Sequence, residues 1–133
     1  MNIYSQKDKR WADKEVVKGL KMRDFGCLIT ALACLDGRTP DKILDILKKN
    51  QAITADGKVI WNKSADILGL TFEGFDTKPS EKTCIAETDH YYKIYKVNHF
   101  FVWLNDGNII DPLDGRMKKN LYNIVRYIKI YPE

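Results

Sequence analysis

The chain has 133 residues, of which 44% are hydrophobic and 30% charged, with only 8 Gly and 4 Pro; this excludes disordered, collagenous and low-complexity classes and fits one soluble domain. Three cysteines (Cys27, Cys34, Cys84) and two histidines (His90, His99) leave at least one free thiol in a monomer, indicate no disulfide framework and supply no zinc-ligand spacing, so neither metal nor other cofactor is expected. The net charge of +4 gathers at the ends: residues 1–24 hold seven Lys/Arg against four Asp/Glu, and residues 116–133 hold five against one. Without the aromatic or glycine interleaving of a nucleic-acid stripe, that reads as surface charge, and no nucleic-acid partner is expected.

Residues Met1–Arg10 carry no apolar run behind their charges, and no stretch approaches the ~18 apolar residues of a membrane span. The expectation is a cytoplasmic product unless a virion or another export route delivers it. Phe25 to Leu35 reads as an apolar helix stopped by Asp36-Gly37. Thr39 then caps a second helix with Pro40 at its first position, and Ile43, Leu44, Ile46 and Leu47 recur at helical spacing ahead of Lys48 and Lys49. Val59 to Leu68 reads as a third, shorter helix closed by Gly69. Thr71 to Asp89 is polar and reads as irregular. Strand formers follow in Tyr91–Val97, His99–Leu104, Asn108–Ile110 and Tyr122–Tyr131, with Asp106-Gly107 as a hairpin signal. The expected architecture is a single α+β domain over 1–133, a helical part (about 1–70) packed on an antiparallel sheet (about 90–133).

Cys27 stands directly before the long apolar helix, where unpaired N–H groups and the dipole favour a thiolate, and Gly26 would let a substrate backbone approach. Cys34 lies two turns inside the helix and reads as core, while Cys84 has no evident partner. His99 opens one strand and Asp111 closes the next, so a hairpin at Asp106-Gly107 returns the carboxylate to the imidazole, the orienting role of a triad's third member. His90, in an acidic stretch without a returning carboxylate, is the competing base. Gln6, between Tyr4 and Trp11, is the best candidate for a side-chain oxyanion donor.

Taken together, the run Tyr4-Ser5-Gln6 through Trp11, Phe25-Gly26-Cys27, Thr39-Pro40, His99-Phe100-Phe101-Val102 and Ile109-Ile110-Asp111-Pro112 resembles the papain-like cysteine peptidases related to the bacteriocin-leader-processing (double-glycine) peptidase domains. The resemblance implies the papain-like fold, Cys27 as nucleophile, His99 as base and acid, Asp111 as its orienting residue, Gln6 in the oxyanion hole, and a peptide or protein substrate such as a leader or a cell-wall peptide. An amidase or acyltransferase would use the same residues. A catalytically silent binding module is the other alternative, with Tyr91, Tyr92, Tyr95, Tyr122, Tyr127 and Tyr131 as its partner surface.

Overall fold

A computed structural model describes the backbone of residues 1–92 and 97–132 and the side chains of residues 1–89 and 98–132. Its elements run β1 (Glu15–Val17), β2 (Leu20–Lys21), α1 (Met22–Phe25), α2 (Cys27–Asp36), α3 (Pro40–Lys49), α4 (Trp61–Leu68), β3 (Leu70–Asp76), β4 (Cys84–Tyr92), β5 (Val97–Trp103), β6 (Asn108–Asp111), β7 (Arg116–Lys119) and β8 (Ile124–Pro132). Strands β3 to β8 form one sheet in the order β3-β8-β4-β5-β6-β7. Every neighbouring pair in it is antiparallel. The α+β class expected from sequence is therefore present.

The helices follow from their residues. In α2, Ile29 through Leu35 are all buried, so the helix is apolar on every side and becomes the central post, packed on β5 and α3. Its neighbour α3 is one-sided: Ile43, Leu44 and Leu47 are buried, each contributing roughly 1.5–3 kcal/mol by leaving water. The predicted stops at Gly37 and Gly69 are both left-handed C-caps. The break between α1 and α2 has another cause. A Cβ on Gly26 would lie 2.5 Å from the Met22 carbonyl oxygen and 2.8 Å from its sulfur, so only glycine lets α1 close on α2. The space Gly26 spares is filled by Met22, which corrects the expectation that it admits substrate.

The sheet alternates with period two. Ile85, Val102, Ile110 and Ile128 face the helices, while their neighbours Ala86, Phe101, Ile109 and Tyr127 build a second core with Cys84 and Tyr131 on the other side. Two expectations are corrected here, and one strand is added. The segment 71–89 is not irregular, since β3 and the first half of β4 lie in it. The strand expected over 91–97 is two strands: Tyr92 ends β4 and pairs with Val97 at the start of β5, and residues 93–96, with Tyr95, lie outside the described residues. Finally, Arg116–Lys119 forms an edge strand that composition did not announce.

Candidate active site

The hairpin at Asp106-Gly107 sets the site. Val102 pairs with Ile110 and Trp103 with Ile109; continuing that register puts Asp111 opposite Phe101, with His99 as its diagonal neighbour. The His99 Nε2 lies 2.7 Å from Asp111 Oδ1, and both residues are wholly buried. The carboxylate has further partners. Tyr122 Oη donates to Oδ2 at 2.5 Å, the Leu113 N–H donates to Oδ1 at 3.0 Å, and the Lys118 ammonium stands 3.5 Å from Oδ2. The Tyr122 ring meets His99 edge-on at 5.4 Å and stacks on Phe101 at 5.0 Å.

These contacts decide the charges. Burial opposes ionisation of His99, but the Asp111 hydrogen bond and the neighbouring Cys27 outweigh it, and its pKa is raised to about 9. Burial would likewise push Asp111 up, yet the bonds from His99 and Tyr122 hold it far below the usual carboxylate range. At neutral pH the pair is imidazolium and carboxylate.

Cys27 is the first residue of α2 and is 4% exposed. It is near enough for its sulfur to favour the charged His99 ring, while Nδ1, the nitrogen turned away from Asp111, is buried and closes no hydrogen bond among the described residues. The two groups are close enough to couple electrostatically, without an aligned hydrogen bond. The other two thiols differ. Cys34 lies in the helical core and Cys84 in the second core, both wholly buried, and burial pushes each up to about 11. Cys34 is core as expected; Cys84 is packed core too, not part of an irregular polar segment.

Gln6 is buried rather than a solvated residue near a chain end. Its backbone N–H donates to the Pro112 carbonyl at 2.7 Å and its Nε2 to the Arg23 carbonyl at 2.9 Å, so it spans from the residue after Asp111 to the turn before Gly26-Cys27. Trp11 Nε1 donates to the Ser5 carbonyl at 2.7 Å and fixes the segment. Gly115 (φ +66°) lets it pack closely, because a Cβ there would sit 2.9 Å from the Ser5 Cβ. One Nε2–H remains for another acceptor.

Cys27, not His99, lines a cleft of about 350 Å³ whose walls include Leu28, Trp61 and Phe100 together with Asp24, Glu87, Asn98 and Arg126. Of the tyrosines expected to form a binding surface, Tyr127 and Tyr131 are buried and Tyr122 bonds to Asp111. The side chains of Tyr91, Tyr92 and His90 lie outside the described residues. Tyr122 and Lys118 escaped the sequence reading, for the contact that gives each a role is made across the fold. Among the described residues no group of three His, Cys, Asp or Glu is placed to hold a metal ion, and no helix is long and apolar enough to cross a membrane.

No protein-family model, curated protein or solved structure matches the chain.

Proposed function

We propose that the protein is a cysteine peptidase of the papain-like kind, cleaving a peptide or amide bond through a thioester. The observation that carries this reading is the buried His99–Asp111 pair, whose Nδ1 closes no hydrogen bond among the described residues, coupled to a cysteine that starts a helix and faces a cleft. Asp111 holds Nε2 and so leaves Nδ1 to exchange a proton with sulfur. With that proton on Nδ1, the His99 imidazolium pairs with the Cys27 thiolate, whose sulfur attacks the substrate carbonyl carbon. The resulting oxyanion is met by the Cys27 N–H and the second Nε2–H of Gln6. Collapse breaks the C–N bond, and His99 gives its proton to the departing amine. Water, deprotonated by the now neutral His99, then attacks the thioester, releasing the carboxylic acid and restoring the thiolate–imidazolium pair.

Iodoacetamide at neutral pH tests this reading. Cys27 is expected to react at least about tenfold faster than Cys34 and Cys84, whose burial keeps them protonated, and His99→Ala should slow it. Equal, slow labelling of all three thiols would sink the proposal. If Cys27 labels selectively, peptide and peptidoglycan-fragment panels then address the substrate.

A further inference from the structure

The cleft that Cys27 faces ends in a polar group with no part in the chemistry just derived. Glu87, on β4, is 8% exposed. One of its oxygens accepts from Arg126 Nε on β8 and the other from Asn98 Nδ2 on β5 at 2.8 Å. The guanidinium lies over the Phe75 ring at 4.3 Å. It is thus pinned from one side by a carboxylate and from below by an aromatic face. Neither of its Nη groups closes a hydrogen bond among the described residues, and the side chain is 38% exposed.

Burying a carboxylate to fix one guanidinium is costly when an apolar trio could fill the same space. What the arrangement achieves is orientation. With Nε committed to Glu87, the two Nη groups form an open end-on fork, the geometry that takes a carboxylate through two parallel hydrogen bonds. Trp61 and Phe100 line the same cleft and provide an apolar seat beside the fork. The lining also carries Asp24 on α1, and Asp56 with its ion-pair partner Lys58 in the turn before α4.

We infer that Arg126, held by Glu87 and Asn98, is a specificity residue that binds a carboxylate of the substrate chain, next to an apolar or aromatic residue seated on Trp61 and Phe100. The inference rests on the peptidase reading and names its substrate class. A carboxylate can come from an acidic side chain or from the end of a peptide chain; the fork takes either.

The test measures binding without chemistry, in the full chain with Cys27→Ala. The probes are N-acetylated, fluorescently labelled octapeptides with Phe-Glu or Phe-Gln at each successive position, all C-amidated, and a Phe-Gln set with a free C-terminus. About tenfold tighter binding of Phe-Glu over Phe-Gln at one register supports an acidic side chain, and the same advantage for the free C-terminus supports a chain end. Either advantage should vanish in Glu87→Gln/Arg126→Met, which leaves no charge unpaired. It should shrink severalfold in Arg126→Lys, which keeps the charge and loses the fork. Equal binding of all sets, no binding by any, or a preference undiminished in both variants overturns the inference. Failure of the peptidase reading would be seen separately, as an unreactive Cys27 in the unmodified protein.

Discussion

Two buried carboxylates in one sheet, Asp111 and Glu87, are held by different partners. Asp111 faces a histidine, and Glu87 faces an arginine. The consecutive β5 residues His99 and Asn98 serve one cluster each. An arginine keeps its charge at every accessible pH, so the Glu87 cluster is a permanent fixture that can orient a ligand but cannot move a proton. A histidine titrates within the accessible range, here at about 9, so the Asp111 cluster can gain and lose a proton. The same fold thus holds one ionic pair of fixed charge beside one that can titrate.

The largest expected effect breaks the titratable pair. Asp111→Asn should leave the ring without its anionic partner and lower turnover by roughly 10²–10⁴-fold. It should also move the alkaline limb of kcat/KM down from about 9, because the carboxylate is among the groups that favour the charged ring. A limb that stays near 9 in Asp111→Asn would show that another group sets it.

Stability should separate the two clusters next. The folded pKa of His99 lies at about 9 against the ordinary 6.5, so the folded state holds its proton more tightly. The stabilisation is complete below pH 6.5, falls as pH rises through 9 and is gone above it, a loss on the order of 3 kcal/mol. Asp111 runs the other way: its folded pKa is lowered, so its contribution is present above the ordinary carboxylate value and lost as the solution is acidified. Denaturant unfolding from pH 6 to 10 should show the alkaline loss, and His99→Gln should flatten it. Glu87→Gln should cost about 1–3 kcal/mol with no such dependence across this range, since Arg126 stays charged. A pH-dependent cost for Glu87→Gln would erase the distinction.

Gly26→Ala comes next, at about 1–3 kcal/mol, since the added Cβ must displace the Met22 carbonyl or the start of α2. Because that start carries Cys27, iodoacetamide labelling should slow in the same variant. Unchanged stability and labelling would show that the α1–α2 junction does not hold the thiol in place.

What could be read before folding was local. The caps at Gly37 and Gly69, the all-apolar α2 and the Asp106-Gly107 hairpin are each encoded within a dozen residues, and the last also brings Asp111 to His99. Two of the strands that composition hid are at the margins. β3 and β7 are the two edges of the sheet, and their sequences, Thr71-Phe72-Glu73-Gly74 and Arg116-Met117-Lys118-Lys119, carry the charges and glycine that edges tolerate and central strands avoid. Cys84 was obscured by the polar run before it, although β4 buries it completely. The Glu87–Arg126 pair joins residues 39 apart, and no periodicity in either strand announces it.

Tyr122 belongs to the same non-local class and gives the smallest expected effect. Its hydroxyl supplies one of several contacts to Asp111, with the Leu113 N–H, His99 and Lys118 remaining when it is removed. Tyr122→Phe should therefore cost about 1 kcal/mol in denaturant unfolding and slow turnover only severalfold, while the ring still packs on Phe101 and against His99. The alkaline limb should stay near 9, since the bond from Nε2 to Oδ1 is untouched. If Tyr122→Phe instead matches Asp111→Asn in rate and in the fall of that limb, then the carboxylate cannot hold the imidazole unaided, and the positioning unit is Tyr122 and Asp111 together.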